Sequence, residues 1–232
     1  MTIVREVADA LKLAGEVVNN TRTIVQAVSD GQKYLARYHP DAKADLSSLL
    51  EEVQRSISGL AQVSRVVTGF QFTVSGAGRD LEPRVFNNYV VASKVELQEA
   101  RDRGKALRAS CTKVREHRDA LNDKAGGGWW DWAGLLGEKR EERRQELAST
   151  LDTVYSADLD IVYYIEQMIE GVEIALREVS KALATDASGG ARPENVPKAQ
   201  AVLAEYASRF ETVDRDSRDL VGEIHTQIAR LR

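Results

Sequence analysis

Apolar residues recur along most of this chain at alternating steps of three and four. The clearest stretch runs from Pro83 to Asp123, where Phe86, Val90, Ser93, Leu97, Ala100, Gly104, Leu107, Cys111, Val114, Arg118 and Leu121 share one seam. A mean spacing of about 3.5 residues is that of a helix lying along another helix. At 1.5 Å per residue the stretch predicts a rod about 60 Å long. A rod of that length needs partners of similar length.

Four more segments supply them. Val4 to Leu35 carries Val7, Leu11, Ala14, Val18, Val25 and Val28 on one stripe and stops at Tyr38-His39-Pro40. The residue before a proline is pushed out of the helical region. The second segment carries Leu46, Leu49, Leu50, Val53, Ile57, Leu60, Val63 and Val67. From Gly69 to Glu82, Phe70, Phe72 and Val74 alternate with polar residues, which predicts an extended connection. The long third helix follows and ends before Gly126-Gly127-Gly128. The fourth segment places Leu147, Leu151, Val154, Asp158, Ile161, Ile165, Met168 and Val172 on a seam, up to Asp186-Ala187-Ser188-Gly189-Gly190. The fifth carries Phe210, Val213, Ser217, Leu220, Ile224 and Leu231.

The fold expected is therefore all-α: an elongated antiparallel up-and-down bundle of four to five long helices. The short first connection predicts that the first two helices are antiparallel neighbours. Residues 1–186 are expected to form the long bundle, and 187–232 a linker and a C-terminal bracing helix packed on it.

Composition narrows the function. A formal net charge of −4 gives no global basic field, so no nucleic-acid partner is expected. One cysteine excludes an intrachain disulfide and fits a reducing, cytoplasmic compartment. The first residues, MTIVREVADALKLAGEVV, carry charges throughout and resemble no signal peptide, and no run of apolar residues is long enough for an ordinary membrane span.

Catalytic chemistry finds little footing. Ala36, Val114 and Gly222 stand three residues before the three histidines, so no Glu-x-x-His pair for a di-iron bundle exists. A single cysteine cannot build a thiolate zinc site. Gly104-Lys105 lacks the rest of a phosphate-binding loop. Cys111 sits on a seam, which predicts a buried, inert thiol. Neither an enzyme nor a cofactor is expected.

Three features remain. Asp158 and Arg118 occupy seam positions and are candidates for a buried ion pair that fixes register, since a buried carboxylate needs a partner. Arg101, Lys105, Arg108 and Arg115 fall on one helix face; they form either a face for an anion or acidic partner, or a solvated face balanced by Glu96, Glu99, Asp102, Glu116 and Asp119. Trp129, Trp130 and Trp132, with Leu135 and Leu136, form the one dense apolar cluster outside the seams. They either cap the bundle end or present a contact surface, and the contact surface is the reading adopted here.

The leading amphipathic helix, the Tyr38-His39-Pro40 turn and the closing helix from Pro197 to Leu231 together resemble the N-terminal helical bundles of HeLo-like and mixed-lineage-kinase-like cell-death proteins, found in NLR-like defence systems. The resemblance is architectural and spans most of the chain. It implies a bundle that self-associates or acts on membranes when released by a sensor domain. No sensor or nucleotide-binding domain lies within these residues, so a lone effector or a piece of a larger protein is implied. The expected function is a non-enzymatic interaction or self-association module with a protein partner or a second copy, in a defence or cell-death pathway. The alternative is a membrane-binding or membrane-permeabilising bundle acting through its first helix or its tryptophan loop, membrane-associated on activation.

Overall fold

The structure is a computed structural model. It describes the backbone of residues 2–38, 40–76, 83–122, 138–186 and 195–232, and the side chains of 5–31, 43–69, 84–120, 145–177 and 208–232. The described chain is five helices: α1 (Thr2–Tyr38), α2 (Pro40–Gly76), α3 (Pro83–Asn122), α4 (Glu138–Asp186) and α5 (Asn195–Leu231). No strand occurs among the described residues, and the protein is an all-α antiparallel bundle.

Local sequence explains the boundaries. Pro40 opens α2 and Pro83 opens α3, where a missing N–H costs nothing and the fixed φ suits the first turn. Pro197 likewise falls in the first turn of α5. The extended connection expected at Phe70-Phe72-Val74 does not form; α2 continues through these residues to Gly76. Three alternating residues are too few to override a helix that is already nucleated, since each further residue adds a hydrogen bond at little cost. At 49 residues α4 is the longest rod, about 74 Å.

Around the bundle the order is α1, α4, α3, α2, α5, and α5 closes on α1. Cross-helix contacts set the directions. Ser56 of α2 donates to the Arg103 carbonyl at 3.3 Å, and Gln62 donates to Glu99 at 2.7 Å, so α2 and α3 are antiparallel. Arg101–Glu173 at 3.2 Å and Arg118–Asp152 at 3.1 Å make α3 and α4 antiparallel. Gly31 lies against Thr150 and Gly171 against Glu6, which does the same for α1 and α4. Gln54 meets His225, and Glu51 meets Arg232, across α2 and α5. An odd number of alternating helices can close only with one parallel pair, and that pair is α1 and α5, joined by Arg22–Asp216 at 3.6 Å.

One expectation changes here. The first two helices are not principal neighbours: α5 lies between them and their direct contact is minor. A short connection ties two helix ends together but does not choose faces; α1 buries its broad stripe against α4 instead. The final helix packs on the other helices, between α1 and α2.

The seams form the core. Ala14, Ile24, Val28, Leu49, Leu50, Val53, Leu97, Leu107, Leu151 and Ile161 are fully buried. Each large aliphatic contributes about 1.5–3 kcal/mol by leaving water. In α1, Ala10, Val17 and Ile24 form a second buried row beside the expected one, because α1 packs on both α4 and α5. α2 touches all four other helices, and its buried face widens to include Ser56, Gln62, Ser64 and Val66.

Candidate interaction surface

The third helix shows how the surface arises. Its core seam is buried at Phe86, Ser93, Leu97, Ala100, Leu107, Cys111 and Val114. Residues half a turn away must therefore face solvent, and most are charged or polar. Three are not. Val85 is 51%, Val91 64% and Val95 60% exposed. The other exposed large apolar side chains among the described residues are Leu159 and Tyr163. All five thus lie on α3 or α4, which pack against each other. α1, α2 and α5 expose none of comparable size among their described residues.

Between α3 and α4 runs a groove of about 650 Å³, lined by Asn87, Val90, Val91, Lys94, Gln98, Glu173, Leu176 and Arg177. Glu173 is neutralised by Arg101 at 3.2 Å. Lys94 and Arg177 have no ion-pair partner among the described residues. Apolar Val90, Val91 and Leu176 and polar Asn87, Lys94, Gln98, Glu173 and Arg177 line it together, a mixture suited to burying another chain's apolar side chains.

The expected basic face is divided by its neighbours. Arg101 bridges to Glu173 of α4, and Lys105 pairs with Asp102 of its own helix at 2.8 Å. Arg108 and Arg115 are exposed, without an ion pair among the described residues. Of the four, Arg101 and Lys105 thus have acidic partners in the structure, while Arg108 and Arg115 have none among the described residues. Trp129, Trp130, Trp132, Leu135 and Leu136 lie outside the described residues.

The expected Asp158–Arg118 pair is not formed. Arg118 pairs with Asp119 at 2.7 Å and Asp152 at 3.1 Å, and its guanidinium stacks 4.5 Å from the centre of the Tyr155 ring. The register bridge between α3 and α4 exists, but its acid is the exposed Asp152, six residues before Asp158. A long arginine at the edge of a seam reaches solvent more cheaply than it enters the core.

Asp158 itself is fully buried, and neither carboxyl oxygen has a hydrogen-bond partner. Burial pushes its pKa up to about 7, opposed weakly by the Cys111 thiol. That thiol is near enough to act on the carboxyl, yet the hydrogen bond its geometry supports, at 3.9 Å, goes to the Tyr155 carbonyl. The carboxyl is therefore unsatisfied. Burial, and then the neighbouring Asp158, push the Cys111 thiol far up, so it is held protonated and unreactive.

No cluster among the described residues could hold a metal ion. No helix among them is long and apolar enough to cross a membrane. His117 bonds to Asp45 at 2.8 Å and His225 to Gln54 at 2.9 Å, so both tie α2 to a neighbouring helix.

The fold and surface define an elongated all-α bundle with one apolar-decorated helix pair. No family model, curated protein or solved structure matches this chain.

Sequence reasoning passed over Val91 and Val95. The signal was present: β-branched apolar residues standing off the core seam of an otherwise charged helix.

Proposed function

We propose that this protein is a non-enzymatic helical interaction module whose contact surface is the outer face of α3 and α4. One observation carries the reading: every exposed large apolar side chain among the described residues is on that helix pair. Scattered apolar residues are normal on a surface, and their restriction to one helix pair out of five helices is what supports a contact site there. Of the residues on this surface, Tyr163 and the exposed Arg177, which has no ion-pair partner among the described residues, are of the types enriched at interfaces. The two groups whose titration burial shifts most, Asp158 and Cys111, are sealed in the core, out of reach of a dissolved substrate. A role in a defence or cell-death pathway, in the cytoplasm, belongs to the same proposal through the resemblance to HeLo-like bundles.

The membrane-active alternative is less well supported where it would act through the first helix. Val7, Ala14, Val18 and Val25, the apolar stripe of α1, are buried in the core, so α1 would have to leave the bundle to meet a bilayer.

Site-selective photo-crosslinking tests the reading. A crosslinker at Val91 or Tyr163 should give discrete adducts, to this chain or to another protein. One at the exposed Asp9 of α1 or Glu223 of α5 should give few. Equal yields from all four positions would overturn it.

A further inference from the structure

Opposite its core seam, α3 carries a second seam. Arg84, Asn88, Val91, Val95, Gln98 and Asp102 follow at alternating steps of four and three, and all six are exposed. At 100° per residue they lie within about 80° of one another. The stripe is about 27 Å long. Its 3.5-residue spacing is the one that lets two helices run side by side, yet no element among the described residues covers it.

The stripe is also self-complementary when reversed. Arg84 and Asp102 stand nine residues either side of Ser93, Asn88 and Gln98 five, and Val91 and Val95 two. Two copies of α3 laid antiparallel about a two-fold axis at the level of Ser93 would place arginine on aspartate, amide on amide, and valine on valine. Between positions 84 and 102 no like charges come opposite: Lys94 meets Ala92, Glu99 meets Asn87, Arg101 meets Val85, and Glu96 meets Val90. A closed two-fold interface requires one patch to complement itself in this way.

We propose that the occupant of the outer face of α3 is α3 of a second copy of this chain, packed antiparallel with Arg84 on the partner's Asp102. This rests on the interaction-module reading and names its partner. The ends of the stripe are free to pair. Arg84 has no ion-pair partner among the described residues. Asp102 is held by Gln98 at 3.0 Å and Lys105 at 2.8 Å, both exposed contacts within one helix that exchange readily. One helix face buries less than the roughly 1,200 Å² at the low end of stable interfaces, so the dimer is weak and concentration-dependent.

A charge swap tests it, with sedimentation velocity of the full chain as readout. Arg84→Asp places like charges opposite each other at both ends of the interface, and so does Asp102→Arg. Each variant alone should associate about tenfold more weakly than the native chain. Mixed, the two variants bring unlike charges together at both ends, and association should return. Single variants that associate as strongly as the native chain, or a mixture that does not recover, would overturn the α3 register while leaving the wider reading in place. A native chain that stays monomeric at every concentration would overturn the second-copy proposal. Crosslinks from Val91 to a different protein would then keep the wider reading alive, and unselective crosslinking would end both.

Discussion

Asp158 of α4 lies fully buried against Cys111 of α3, and both of its carboxyl oxygens lack a hydrogen-bond partner. Burial in that position favours the neutral form of the carboxyl over the ionised one.

Stability should therefore depend on pH in an unusual direction. Unfolded, Asp158 has a pKa of about 3.9; folded, burial raises it to about 7. Between these values the folded state holds a proton that the unfolded state has released. The contribution of this group to stability is then greatest below about pH 4, falls as pH rises towards 7, and is flat above. The full change is on the order of 4 kcal/mol. Asp158→Asn removes the charge and keeps the shape. Urea unfolding should show the variant close to native stability at about pH 4 and clearly more stable at about pH 8. A difference that does not change with pH would refute the assignment.

The helix contacts give a second expectation, in paired glycines. A Cβ on Gly31 of α1 would stand 2.7 Å from Thr150 Cγ2 of α4, whereas one on Gly222 of α5 would meet nothing within 4 Å. Alanine is favoured over glycine inside a helix by about 1 kcal/mol. Gly222→Ala should therefore raise the melting temperature, and Gly31→Ala should lower it. Adding Thr150→Ala to Gly31→Ala should recover the loss. Gly31→Ala melting above the native protein would show that α1 and α4 are not in close contact there.

The core seams were legible because one period, set by the geometry of packed helices, decides which residues leave water. Leu97, Leu107 and Val114 are buried where the spacing put them. The arrangement of helices was not legible. Neighbour choice depends on the width of each stripe, and only the structure shows that Ala10, Val17 and Ile24 let α1 serve α4 and α5 at once. Asp158 stood out as a polar residue on an apolar seam, but its partner did not. Arg118 lies on the same seam as Cys111, and a difference of under two turns decides whether its long side chain meets Asp152 or Asp158. The proposed contact surface was hidden for a related reason. Attention to the residues that form a seam passes over the apolar residues that stand apart from it.

Surface and core valines should part company in stability measurements. Val91→Ser and Val95→Ser remove side chains that are already mostly in water, so each should shift unfolding by no more than about 0.5 kcal/mol. Leu50→Ala, in the fully buried face of α2, should cost about 2–5 kcal/mol. A large loss from either valine variant at low protein concentration would mean that Val91 and Val95 support the fold, and their role as a contact surface would fall.

The most direct measurement follows backbone amide chemical shifts of the full chain as its concentration rises. Shifts and line broadening should concentrate on α3 between Arg84 and Asp102, with α1 and α5 unmoved. Val91→Ser combined with Val95→Ser should abolish them. Concentration-dependent changes centred on α1 or α5, or a spectrum of the double variant that changes as the native one does, would contradict the outer face of α3 as the contact surface.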